Sequence, residues 1–201
     1  MRVSRAQAEK NRQTVIDVAS RLFRERGFDG IGLKDLMESA GLTQGAFYKQ
    51  FASKDDLAAQ ASRRALESAF LRWSAAAAAD PQDPLAAVIA FYLSMDHRGE
   101  RMEGCPVVAL GSDAARQGAE VKASFEAGIE DYLKMLGPWV GEAHGKEASD
   151  KAMAILSTMV GAMVLSRAVN DEELSKRFLQ AAAENILTGS SAGDAQQGPR
   201  Q

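Results

Sequence analysis

Few side chains in this 201-residue sequence are equipped for covalent chemistry. A single cysteine, Cys105, and two histidines, His97 and His144, provide neither a disulfide framework nor a multi-cysteine zinc site. No metal and no other cofactor is expected. The sequence also lacks a phosphate-cradling glycine loop, a histidine–carboxylate cluster and a nucleophile motif, so an enzyme has little support. What it does offer is a short run, Thr43-Gln44-Gly45-Ala46, just after Gly41-Leu42. If that run opens a helix, its first amides and the Thr43 hydroxyl can meet phosphate. Gly45 and Ala46 would let the backbone approach a polyanion closely, and the Gln44 amide matches the donor–acceptor pair on an adenine edge. Tyr48, Lys49 and Lys54 follow, and Lys34 precedes them.

Those residues need a frame. Leu36 and Met37 mark the inward side of a short helix from Leu33 to Ala40, and Gly41 stops it. Thr43 is a suitable N-cap for a second short helix, Gln44 to Gln50. Two short helices about a tight turn form a helix-turn-helix, the geometry that presents a recognition helix to the major groove. Upstream, Val15, Ile16, Ala19, Leu22 and Phe23 line one face of a helix from Ala6 to Arg26, with Gly27 as its left-handed cap and Phe28 folding back. Downstream, Ser53 and Asp56 form a capping-box-like start to a long fourth helix. Taken alone, Tyr48 can be half-buried packing and Lys54 a solvated helix-start lysine.

Charge supports a polyanion at one end only. Residues 1–54 carry a net +4 and the remainder −7, within an overall −3. The basic, polar first residues do not resemble a signal peptide. No stretch approaches the roughly 18 uninterrupted apolar residues of a bilayer span. The expectation is a cytoplasmic protein with no membrane partner.

Beyond the fourth helix the pattern stays helical, giving nine helices and an all-α fold. A fifth runs from Leu85 to Asp96, a charged loop from His97 to Gly104, and a sixth from Cys105 to Gln117. The seventh covers Ala119 to Val140, a break follows at Gly141–Gly145, and helices from Ala148 to Val169 and Glu172 to Leu187 flank a turn at Asn170-Asp171. Three parts result: residues 1–53 for DNA binding, 54–188 for sensing and dimerisation, and a disordered tail at 189–201. The last two helices are apolar beyond one stripe, so Met153, Leu156, Val160, Met163, Leu174 and Phe178 are candidates for a homodimer interface, with intramolecular core as the alternative. Phe70, Trp73, Phe91, Tyr92 and Met95, together with Cys105 and Phe125, are candidates for an adaptable apolar ligand pocket. Cys105 near a helix start is either an electrophile or redox sensor or an inert buried thiol.

The string GFDGIGLKDLMESAGLTQGAFYKQFASKDDL, residues 27–57, resembles the DNA-binding signature of the TetR family of transcriptional regulators. The resemblance extends upstream through Arg12, Ile16, Ala19, Leu22 and Phe23, and Gly104–Leu110 is similar to the sixth-helix start of some members. It implies an all-helical homodimer with three DNA-binding helices and a six-helix C-terminal domain enclosing an inducer pocket. By the same resemblance, Thr43 to Ala46 begin the recognition helix, Tyr48, Lys49 and Lys54 meet the phosphate backbone, and Phe47 and Phe51 are core. One departure is Ile31-Gly32, where the family usually places Thr or Ser before its second helix. The function implied is a repressor bound to a pseudo-palindromic double-stranded operator and released by a small-molecule effector. A helical interaction module with a vestigial helix-turn-helix is the competing reading, and steep salt dependence would separate the two.

Overall fold

A computed structural model describes residues 4–140 and 145–191; the expected break at 141–144, with His144, and the tail from 192 onward lie outside the described residues. Among the described residues the chain is helical, without strands. It packs as two units, residues 4–69 with 101–128 and residues 70–100 with 129–191.

In the first unit, α1 (Arg5–Arg26) buries Val15, Ile16, Ala19, Leu22 and Phe23, the face its periodicity marks. Gly27 takes φ 78° and its N–H bonds the Phe23 carbonyl (2.8 Å). This turn brings Phe28 back onto Phe23, with ring centroids 5.3 Å apart. Next come α2 (Leu33–Ser39), a 3₁₀ segment (Gln44–Lys49) and α3 (Lys54–Ala79), whose first half belongs to this unit. The unit is completed by α6 (Pro106–Ala114) and the first part of α7 (Ala119–Leu136). Helices α3 and α7 cross closely. A Cβ on Gly128 would lie 2.8–2.9 Å from three Leu66 side-chain atoms, and the Ser124 hydroxyl bonds the Ala59 carbonyl (3.0 Å).

The second unit holds α4 (Pro84–Tyr92), α5 (Met95–Gly99), α8 (Lys146–Ala168) and α9 (Glu172–Ser191), with the ends of α3 and α7. Its centre is aromatic: Trp73 stacks on Tyr132 (4.5 Å) and meets Tyr92 edge-on (5.3 Å). The α8–α9 turn is fixed by Asp171, whose carboxylate accepts the Leu174 N–H (2.6 Å). A buried Ser166–Ser175 hydroxyl pair (2.6 Å) joins the two helices just beyond it. Arg98 and Arg167 exchange roles across α5 and α8. Arg98 donates to the Ser166 carbonyl (3.1 Å), and Arg167 donates to those of His97 (2.9 Å) and Arg98 (3.0 Å).

Several elements differ from expectation, among them the sixth helix, which runs only from Pro106 to Ala114 and stops short of Gln117. The fifth helix stops at Tyr92 rather than Asp96 because Ser94 turns extended and recaps the chain, its Oγ accepting the His97 N–H (3.1 Å). The expected loop from His97 therefore begins as the end of α5. Gly137–Trp139 forms a 3₁₀ turn around Pro138, so α7 ends at Leu136. The recognition helix is 3₁₀ rather than α, as is common for so short a piece. Finally, α9 runs to Ser191, past the expected end at Leu187 and into the tail expected from residue 189.

Two tests follow from this packing. Gly128→Ala lowers the free energy of unfolding by about 1 kcal/mol, because overpacking outweighs the helix propensity gained. In a Leu66→Ala background the same change becomes stabilising by roughly 0.5–1 kcal/mol; denaturant titration of all four proteins checks the reversal. His97 is 4% exposed, and its Nδ1–H donates to the Tyr92 carbonyl (2.7 Å). Burial chiefly, helped by the Arg167 and Arg72 charges, holds its pKa below the ordinary 6.5, against the opposing pull of that hydrogen bond and of Glu100. Because the unfolded chain then binds the proton more tightly, stability is full above 6.5 and falls as pH drops through the lowered folded value. His97→Asn flattens that decline in thermal melts between neutral pH and pH ~5, where only histidine among ordinary side chains titrates.

Candidate nucleic-acid interface

The turn ahead of the recognition segment is built by backbone bonds. The Gly41 N–H bonds the Glu38 carbonyl (2.9 Å) and the Leu42 N–H bonds that of Met37 (2.9 Å), a Schellman closure with Gly41 at φ 71°. A Cβ there would meet nothing within 4 Å, so glycine answers to the backbone angle and not to crowding. Thr43 takes the N-cap conformation, but its hydroxyl makes no capping bond and stays exposed. Gln44, Gly45 and Lys49 are exposed as well, and Ala46 is half-buried. Phe47 is buried and stacks on Phe51 (5.3 Å). Tyr48 is 70% exposed and makes an edge contact with Phe47 (5.2 Å). The segment thus has a hidden aromatic side and an open polar one.

Lys34 is exposed beside Glu38 at 3.9 Å, a loose surface pairing. Lys54 differs. It is half-buried and its Nζ donates to the Ile31 carbonyl (2.9 Å), tying the start of α3 to the loop before α2. Gly32 caps α2 without a side-chain bond. The Ser53–Asp56 start of α3 forms as its pattern implies: Ser53 Oγ accepts the Asp56 N–H (3.0 Å), and the Asp56 carboxylate accepts the Ala52 N–H (3.0 Å).

Sequence reasoning gave Arg12 no role beyond the family match. Its guanidinium lies over the Phe51 ring (5.4 Å) and donates to Gln60 Oε1 (2.5 Å), and Gln60 donates to Asp56 (2.6 Å). This chain runs from α1 through α3 to the loop that closes the recognition segment. The spacing of Asp56 and Gln60, four apart on a helix, was the available signal. Nothing in the sequence flagged Arg24, whose buried side chain bonds the carbonyls of Ser20 (2.9 Å) and Gly104 (3.1 Å).

The proposed ligand residues fall in both units. Phe70, Trp73, Phe91, Tyr92 and Met95 belong to the second, with Trp73 and Tyr92 buried and the others half-buried. Tyr132, absent from the sequence candidates, is the ring that Trp73 stacks against. Cys105 and Phe125 are buried in the first unit, and Cys105 is 3% exposed. Of the dimer candidates, Met153 (47%) and Leu174 (40%) are exposed, joined by Val164 and Leu165, while Val160 and Phe178 are half-buried. Leu156 and Met163 are buried within the chain's own core.

An all-helical chain that turns an exposed polar segment outward on a Schellman-closed turn defines a helix-turn-helix protein. Residues 15–61 match the sequence family described as "Bacterial regulatory proteins, tetR family". The chain is 25% identical to the HTH-type transcriptional regulator LmrA of Bacillus subtilis over 77% of its own length and 82% of LmrA. It is 39% identical to the HTH-type transcriptional regulator AcrR of Shigella flexneri, over 28% of this chain and spanning about a quarter (26%) of AcrR. The crystal structure of a TetR transcriptional regulator from Chloroflexus aurantiacus shares the fold, with a TM-score of 0.76 at 24% identity over 91% of this chain and 95% of that one. Residues 15–61 thus match the bacterial tetR regulatory family, and the chain as a whole shares the fold of a solved TetR regulator.

Structural and exposed roles separate in stability measurements without DNA. Lys54→Met is expected to lower the unfolding free energy by about 1 kcal/mol through the lost bond to Ile31. Tyr48→Ala, at an exposed position, stays within about 1 kcal/mol of the parent; urea denaturation of both variants checks the contrast.

Proposed function

We propose that the chain is a ligand-responsive repressor that binds a pseudo-palindromic operator as a homodimer and is released by a small-molecule effector. The observation that carries this reading is the open side of the recognition segment: Thr43, Gln44, Gly45, Tyr48 and Lys49 are exposed and the Thr43 hydroxyl is not engaged as a cap. Lys34 adds an exposed charge, and Lys54 acts from behind by holding the α2 loop. Phosphate contacts would fix register, and Gln44 would read a base edge.

Helix α8 supports the dimer. It contains an 18-residue window of mean hydropathy 1.3, long and apolar enough to cross a membrane by length and composition, yet only 33% of that window is buried in the protomer. Met153, Val164 and Leu165 on α8 and Leu174 on α9 are left facing outward, which suits a symmetric four-helix contact with a second copy. Pairing would set two recognition segments at the ~34–36 Å that one DNA turn requires, and an effector bound by the C-terminal helices would shift that spacing. Half-buried Phe70, Phe91 and Met95 around the Trp73 cluster are the apolar edges such a molecule would meet.

Fluorescence anisotropy of labelled DNA flanking this protein's own gene, against an unrelated duplex at physiological salt, tests the reading. The expected result is a preference of about 10³-fold or more. Lys49→Ala weakens binding to every sequence and lowers the salt slope by about one, whereas Gln44→Ala costs ~1–3 kcal/mol and relaxes specificity at one base position. Leu165→Glu with Leu174→Glu yields monomers in sedimentation and abolishes operator preference. Equal, weak binding to both duplexes would instead favour an interaction module.

A further inference from the structure

The first unit contains a cavity of about 180 Å³ whose walls come from three elements. Helix α1 contributes Asp17, Ser20, Arg21 and Arg24, residues three or four apart on one face. Helix α3 contributes Arg64 and Ser68, and Glu103 closes the third side. Arg64 Nε bonds the Asp17 carboxylate (2.7 Å), which with the accompanying charge attraction raises the Arg64 pKa further. Glu103 serves two arginines: one oxygen accepts from Arg21 Nε, and the other lies 3.5 Å from Arg24 Nη2. The Arg24 side chain is 1% exposed and Glu103 is 41% exposed. Three guanidinium groups therefore face two carboxylates in a recess bounded on one side by a deeply buried cation.

We infer that this recess is a binding site for a small oxyanion, a molecule carrying a carboxylate or phosphate group. Guanidinium forks match the paired oxygens of such groups, and desolvation around Arg24 strengthens the attraction. The Ser68 hydroxyl can donate a further bond. At the ~30 Å³ that a water occupies in the liquid, the cavity holds only a handful of non-hydrogen atoms, so the ligand is phosphate-sized or a short carboxylic acid. An anion here competes with Glu103 for Arg21 and Arg24. A second cavity in the same unit, about 430 Å³, has the opposite balance, with Asp55, Asp56 and Glu120 against Arg12 and Arg63, and should exclude anions.

Calorimetric titration of the full-length, DNA-free protein with inorganic phosphate, then with acetate, in chloride buffer of constant ionic strength decides the matter. One saturable site is expected; competition by acetate would show that carboxylates share it, and binding of phosphate alone would narrow the class. Ser68→Leu fills the recess without changing its charge and weakens phosphate by about tenfold or more, while Glu103→Gln removes the competing carboxylate and tightens it by a similar factor. The gain in Glu103→Gln cannot arise from misfolding, so it decides the case even if Ser68→Leu does not fold. No saturable heat with either anion, or binding unchanged in both variants, overturns the inference. Operator binding is not involved in these titrations, so their failure leaves the proposed function untouched.

Discussion

The stack of Phe47 on Phe51 is the contact on which the Gln44–Lys49 segment depends. A 3₁₀ segment of six residues has too few internal hydrogen bonds to persist alone, since helix nucleation is costly and short helices are marginal in water. Burying one aromatic side of the segment fixes which side faces solvent. Tyr48 is open because Phe47, beside it, is closed. Arg12 reinforces the arrangement from α1 by covering Phe51 while bonding Gln60, so the outer ring of the stack is sandwiched between an aromatic and a cation. The polar residues that could read DNA therefore need no anchoring role of their own, and their side chains remain available.

The first unit relies on arginine at its joints where a small protein more often relies on leucine. Arg24 crosses from α1 to the Gly104 carbonyl, and Arg64 crosses from α3 to Asp17 on α1. Planar guanidinium groups can satisfy several carbonyls or carboxylates at fixed angles, which specifies register between helices more sharply than apolar contact does. The same logic appears in the second unit, where Arg98 and Arg167 bond carbonyls at each other's helix ends. Carbonyls at helix C-termini lack intrahelical partners, so cations there answer a standing need.

Much of this was legible in the sequence wherever local rules decide the outcome. The buried face of α1, the Gly41 turn, the Ser53–Asp56 cap and the Asn170-Asp171 turn each follow from residues a few positions apart. Reading failed where two local rules compete or where the partner is distant. Ser94 sits inside an apolar run whose period continues, yet its hydroxyl bonds the backbone and restarts the helix. Lys54 matches a phosphate anchor by family resemblance, and its bond from Nζ to a carbonyl 23 residues upstream is one that no window of neighbouring residues reveals. Tyr132 escaped because one ring seven residues beyond Phe125 in an acidic helix carries little pattern, and only the fold brings it to Trp73.

The α8 helix shows why periodicity cannot by itself assign a partner. Its apolar residues exceed one stripe, so a wheel drawn from sequence groups Leu156 and Met163 with Met153. In three dimensions the chain's own core claims the first two and leaves Met153 out, with Val164 and Leu165. Composition alone would even allow this helix a bilayer. The hydroxyl pair of Ser166 and Ser175 fixes the inner face of α8 against α9. With that face defined, the remaining apolar side chains fall on the outer surface, where a second copy of the same pair of helices would bury them symmetrically.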